Sequence, residues 1–230
     1  MQQSKMTKKQ SYHHGDLRQA LISAALAILK TKDAKSLSLR EVARQAGVSH
    51  TAPYRHFTDK AALLASVAEE GFVEFGKYLQ TAVDHAGGDP LNSLQESGVA
   101  YVRYALEHPT HFRVMISSVL AEDLTGSCHD NTLDTVAKGT FQILVDIIKA
   151  GQTSGVIRAG DPDFLALGAW ATTHGLSMLL LDEMLPEKGE AALQMAEGII
   201  HNNAIGLIVS QTYIHKMFLQ SIFRYKMKYF

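Results

Sequence analysis

Apolar residues recur along most of this chain at the spacing of one helical face. Leu17, Leu21, Ala24, Ala25 and Ile28 fall at i, i+4, i+7, i+8 and i+11, the pattern of an amphipathic helix. Asp16 stands near its start and Lys30 and Lys32 near its end, the order of charges that suits a helix dipole. Ser38-Leu39-Arg40-Glu41 reads as a capping box, in which the Ser38 hydroxyl accepts from the Glu41 amide while the Glu41 side chain reaches back. The helix it opens is short, because Gly47 supplies a left-handed residue just past its end. Ser49 is placed to cap a third helix almost at once. Two short helices joined by a few residues that include glycine form a helix-turn-helix. Ala43 is small where the two must cross, and Val42 and Val48 are apolar where they must share a core. Pro53 falls inside the third helix, where it removes an amide donor, so a distorted first turn is expected there.

Past residue 60 no run alternates with period two, and the pattern stays helical. A helix is expected from about Thr58 to Ala86, ended by Gly87-Gly88. Asp89-Pro90 supplies a cap and a proline at the first helical position, opening a helix to His108-Pro109. A short helix around His111–Ser118 is followed by a polar loop holding Glu122–Asp130, and then by a helix from Leu133 to Ser154 stopped at Gly155. Asp161-Pro162 repeats the cap-plus-proline device and starts a helix to Leu185, and a last helix runs from near Glu190 to at least Tyr213.

Composition narrows the class. A hydrophobic fraction of 46% and a charged fraction of 20% over 230 residues are those of a globular protein of one or two domains, not of a disordered or disulfide-built one. The single cysteine, Cys128, makes no internal disulfide, and the polar, basic stretch Met1–Gln10 has no apolar segment of a secretory signal. The longest apolar stretches, Gly175–Leu181 and Ala204–Val209, fall short of the roughly 18 residues of a membrane span. A cytoplasmic protein is therefore expected, with no membrane partner. The net charge of −1 conceals three blocks: +7 over residues 1–60, −12 over 61–211 and +4 over 212–230. A basic N-terminal quarter on an acidic body points to a module facing nucleic acid.

From Gly47 the order is Gly-Val-Ser, four variable residues, Tyr54, one residue, His56-Phe57, then Thr58 and, two residues on, Lys60. This signature resembles that of the TetR (tetracycline-repressor-like) family of bacterial transcription regulators, over roughly residues 14–75. The resemblance implies a helix lying in the major groove, with His50, Thr51, Ala52 and Arg55 facing base edges or their flanks. It implies that Tyr54, His56 and Lys60 contact phosphate or brace the helix, and that Ser38 and Arg40 meet the DNA backbone. The chemistry agrees: hydroxyls such as that of Ser49 at a helix start, imidazoles and cations are what phosphates attract, and Arg55 or His50 suits guanine. Phe57 reads as core, and core remains an alternative for Tyr54 and His56.

Trp170, three residues, then His174-Gly175 is similar to the C-terminal WHG type of the same family, as Tyr12-His13-His14-Gly15-Asp16-Leu17 is to its start. The resemblance extends the implied fold class over the chain. It is all-α, with a basic arm and three-helix helix-turn-helix DNA-binding domain in residues 1–60 and a helical regulatory and dimerisation domain in 61–230. Family members are homodimers whose last two helices pack against the partner, and the small residues Ala166, Gly168, Ala169, Ala171, Thr172 and Gly175, with Ala196, Gly198, Ala204 and Gly206, permit such close approach, against the alternative of tight packing within one chain. An apolar effector pocket is expected from Tyr104, Phe112, Met115, Phe141, Trp170, His174 and Met178 with Tyr101, against the plainer alternative that these are core. The function implied is a homodimeric repressor released from a palindromic double-stranded DNA operator by a small-molecule effector. The alternative is a DNA-binding protein, constitutive or governed by a partner, whose body only dimerises. No cofactor, metal or catalytic role is expected. Pro109 breaks the shared face of His108 and His111, the acids Glu122, Asp123 and Asp130 around Cys128 disfavour a thiolate, and no nucleotide-loop or hydrolase motif occurs. The cationic, aromatic tail 212–230 has no counterpart in the resemblance.

Overall fold

A computed structural model describes residues 17–125 and 131–208, and the elements it gives there are helices, apart from one isolated antiparallel bridge between Ile157 and Ile208. The N-terminal arm, Cys128-His129, Tyr213 and the tail 212–230 lie outside the described residues. The chain divides into two compact units, Met1–Val67 and Ala68–Phe230, rather than at residue 60. The first turns of a long helix belong to the head: Leu63 and Val67 are fully buried there, and Arg18 Nη2 donates to Ser66 Oγ at 2.9 Å.

In the head, α1 (Leu17–Leu29) packs on α2 (Leu39–Gln45), with a 3-10 turn at Ala34–Ser36 between them. Leu21, Ile22, Ala25, Val42, Ala43 and Phe57 are at most 2% exposed, and each large apolar side chain so buried contributes about 1.5–3 kcal/mol. Ser38 caps α2 by accepting from the Glu41 amide at 3.3 Å. The reciprocal arm of the capping box is absent, because Glu41 Oε1 is held by Lys32 Nζ at 2.5 Å. Beyond α2, Gly47 at φ +70° closes the helix: Val48 N donates to Ala43 O and Gly47 N to Arg44 O, which satisfies the last carbonyls.

The third helix departs from expectation. Only Pro53–Arg55 forms a helical segment, a single 3-10 turn, and Ser49 makes no cap: its hydroxyl lies 3.2 Å from Thr51 Oγ1. Pro53 has no amide hydrogen, so the segment is tiled by short turns, Ala52 N to Ser49 O, Arg55 N to Ala52 O and His56 N to Pro53 O.

The long helix α3 (Lys60–His85) ends at Gly87 and Gly88, both at positive φ. In the second unit α4 (Pro90–Glu107) is central and packs against α5 (Pro109–Thr125), α6 (Asn131–Thr153), α7 (Pro162–Leu181) and α8 (Glu190–Ile205). Asp89 and Asp161 cap α4 and α7 alike, each accepting from two amides with proline at the first helical position. One apolar cluster joins Leu91 and Leu94 to Val145, Ile148, Ile157 and Leu165; a second joins Val102 to Leu176, Ala196 and Ile200.

Three helix ends differ from those expected. α5 continues through Glu122 to Thr125, where a loop was expected, since neither glycine nor proline interrupts it before Gly126. α7 stops at Leu181, four residues early. Glu183 turns to φ +54°, Met184 N returns to Leu179 O, and Arg113 Nη2 holds the Leu181 carbonyl at 3.0 Å and Asp182 at 2.6 Å. α8 stops at Ile205, and Leu207 O then accepts from Arg158 N at 2.8 Å.

Candidate nucleic-acid interface and regulatory body

The 3-10 turn buries Pro53 and, by the same rotation, presents its neighbours. Tyr54 is 54% exposed, and His50, Thr51, Arg55 and His56 are exposed with it, while Ala52 is half-buried. The His56 ring lies 6.4 Å from that of Phe57, which is core, and the Arg18 guanidinium sits 5.7 Å over Phe57. Arg40 is exposed on α2; Arg44, one turn further and also exposed, shares its face, a neighbour that the i, i+4 spacing alone reveals. Lys60 is engaged within the head: its ammonium donates to the Lys35 carbonyl at 2.8 Å, so the side chain ties α3 to the turn before α2. The Ser38 hydroxyl is committed to its cap.

In the second unit the structure gathers most of the expected ligand-facing residues into one aromatic cluster. Tyr104, Phe112 and Met115 are at most 1% exposed. The Tyr104 hydroxyl donates to Gly71 O at 2.9 Å and lies 3.7 Å from Met115 Sδ. Tyr101 meets Phe75 edge-on at 5.0 Å and Phe112 at 5.6 Å. Its hydroxyl lies 2.9 Å from His174 Nδ1, and the Trp170 ring stacks on His174 at 5.1 Å. Met178 follows on α7, half-buried. Phe141 does not join them and packs instead on the Leu91–Ile148 cluster. Burial pushes the Tyr101 and Tyr104 phenols well above their ordinary range and lowers the His174 pKa, so the imidazole is held neutral.

A groove of about 440 Å³ opens between α3 and α4, lined by Lys77, Tyr78, His85, Val99 and Arg103 among others, and shares none of the expected ligand-facing residues. Beside it the Tyr78 hydroxyl donates to Glu107 at 2.9 Å; that bond, then burial, raises the phenol's pKa.

α7 has a second apolar face that the described residues leave uncovered. Phe164 is 71% exposed, Leu167 47% and Leu179 39%, with Ala171 and Gly168 exposed between them. A Cβ built on Gly168, Gly175 or, in α8, Gly198 meets no atom within 4 Å. α7 is also, among the described residues, the one helix long and apolar enough to cross a membrane by length and composition, although no continuous apolar run foretold it, and only 33% of its best window is buried.

A basic helix-turn-helix head carrying exposed hydroxyl, imidazole and guanidinium groups, followed in the same chain by an all-α body, defines a transcription regulator. The description "Bacterial regulatory proteins, tetR family" matches residues 21–67, and "Tetracyclin repressor-like, C-terminal domain" matches residues 94–201. A solved protein of unknown function from Rhodococcus sp. RHA1 is 31% identical and superimposes with a TM-score of 0.74, covering 87% of this chain and all of that one. The HTH-type transcriptional regulator AcrR of Shigella flexneri is 32% identical over 91 residues, and the uncharacterized HTH-type regulator YxbF of Bacillus subtilis is 30% identical over 94. These matches take in 40% and 41% of this chain, and 42% of AcrR and 25% of YxbF. The chain belongs to the tetR family of bacterial transcription regulators.

Proposed function

We propose that this regulator is a homodimeric repressor that occupies a palindromic operator in the cytoplasm and leaves it when a small molecule binds the helical body. The observation that carries the DNA-binding half is the turn at Pro53, from which Tyr54 and Arg55 stand exposed beside His50, Thr51 and His56. Arg55 and His50 read base edges; Tyr54, Ser49, His56, Arg40 and Ser38 face the phosphates; Thr51 and Ala52 meet the groove; Lys60 braces the head through Lys35. Two such heads would address half-sites about one helical turn apart.

Dimerisation is supported by the uncovered stripe Phe164, Gly168, Ala171 and Leu179 on α7 with Gly198 on α8. Mid-helix glycines with open space around them weaken the protomer and serve no contact among the described residues. A second copy laid on that stripe gives them a use. Effector release is supported by the aromatic cluster around Tyr101, Trp170 and His174, whose half-buried members give a ligand access to buried rings.

Selection from a random duplex library at fixed salt tests the reading. A two-fold symmetric site is expected, lost in Tyr54→Ala and Arg55→Ala, and the salt slope of operator binding is expected to fall by about one for a lost phosphate contact. Sequence-independent binding alike in wild type and variants would overturn it. Operator binding that no small molecule alters would leave a dimerising body without effector control.

A further inference from the structure

Trp170 and His174 lie one turn apart on α7 with their rings stacked, and the Tyr101 hydroxyl on α4 meets the second of them. It is 2.9 Å from His174 Nδ1, its hydrogen-bond partner among the described residues. The direction of this bond follows from burial. Tyr101 is 7% exposed, and a buried phenol O–H left without an acceptor is costly, so its one proton goes to His174. Nδ1 of His174 is therefore an acceptor, which fixes the neutral tautomer with its proton on Nε2. The two nitrogens of an imidazole face away from each other across the ring, so this N–H points away from Tyr101. It makes no hydrogen bond to any described residue. It is also not sealed in: His174 is half-buried, and the buried side-chain polar atom without a partner among the described residues is Oε2 of Glu187. Around the ring stand Trp170, stacked at 5.1 Å, and Phe112 at 5.8 Å.

We propose that the His174 Nε2–H is the polar hook of the effector site and takes an uncharged acceptor, the carbonyl oxygen of an apolar aromatic ketone, ester or amide. This rests on the reading of the body as effector-binding. Aromatic walls match the ligand's body, and one fixed donor matches one acceptor. An ionised carboxylate is disfavoured because a neutral N–H does not repay its desolvation. The cation that follows Phe112 on α5, Arg113, is already committed to Leu181 O and Asp182. The arrangement also gives the Trp-x3-His spacing a physical purpose: Trp170 stacks on the imidazole whose tautomer Tyr101 sets.

The test uses three probes of one shape: benzylacetone, a neutral ketone; hydrocinnamate, its carboxylate counterpart; and isopentylbenzene, which has no acceptor. The chain holds one tryptophan, so the indole cross-peak in a proton–nitrogen spectrum of the full-length protein is Trp170 by count. Titration without DNA is expected to move that peak, with benzylacetone binding about tenfold more tightly than either counterpart. His174→Gln, which keeps a donor near the Nε2 position, is expected to retain the preference. His174→Phe and Tyr101→Phe, each checked for a dispersed spectrum, are expected to lose it. Hydrocinnamate binding most tightly, a preference unchanged in His174→Phe, or no movement of the peak up to probe solubility would each overturn the proposal. A separate operator-binding assay with benzylacetone reports on release alone: binding at Trp170 without release refutes the repressor switch and leaves the hook standing.

Discussion

Alanine at Gly168 and Gly198 is expected to strengthen the protomer while weakening the dimer, and the opposed signs make the pair diagnostic. Among the described residues of the protomer the added methyls meet nothing within 4 Å, so helix propensity is what acts there. Alanine exceeds glycine in a helix interior by about 0.8–1.0 kcal/mol, which brings the double variant to about 2 kcal/mol of added stability. Across a two-fold axis the same substitutions insert four methyls into the contact. Overpacking of a fitted surface costs about 1–3 kcal/mol, and each 1.4 kcal/mol is about tenfold in affinity, so the dimer dissociation constant should rise about ten- to a hundredfold. Sedimentation over a concentration series reads the second quantity; urea unfolding at concentrations below that constant reads the first. A double variant that gains stability while associating within twofold of wild type would refute the assignment of this face to a second copy.

Gly47→Ala is expected to cost about 1–2 kcal/mol, because the φ of +70° and not space is what excludes a side chain there; faster hydrogen exchange confined to the head would show it. Gly151→Ala is expected to lower the melting temperature, since the new Cβ would lie 2.6 Å from Ile157 Cγ1 and 3.1 Å from its Cβ, whereas Gly139→Ala, with open space, should raise it. His174 and His201 both have pKa values lowered by burial, so the unfolded chain takes up protons first. Stability is then complete above the unfolded value of about 6.5 and falls as pH drops below it toward the folded values. Urea midpoints at pH 7.5 and 5.5 should differ in that direction, and by less in His201→Gln; equal midpoints would contradict the burial argument.

Features that one short segment determines were legible in the chain. Asp89-Pro90 and Asp161-Pro162 start helices because the carboxylate and the proline act within their own turn, and Gly47 ends one because only its own backbone is involved. Misreadings arose where two local tendencies competed. Ser49 was a plausible cap until Pro53 removed the regular amide run that an α-helix needs. The acidic run at Glu122 looked like a loop, although the lack of any breaker after Pro109 was the better guide. The Glu41 arm of the capping box lost to Lys32, and Lys60 found the Lys35 carbonyl 25 positions back, because a long charged side chain serves whichever partner the fold brings near. The meeting of Tyr101 with His174 spans 73 positions, beyond any local pattern, although both residues were recognisable as candidates for one pocket. Phe141 shares their chemistry but belongs to a different cluster, a distinction only tertiary packing makes.

The stacking of the lone tryptophan on an imidazole gives this protein an optical reporter of its own. A protonated imidazole accepts an electron from an excited indole and darkens it, while the neutral ring does so far less. With the rings 5.1 Å apart and inclined by 24°, the emission of Trp170 should therefore record the charge on His174 directly. Duplex DNA contributes almost nothing to emission at that wavelength. The same signal can follow the protonation of one side chain with the regulator free or on its operator, with no label attached and no residue changed.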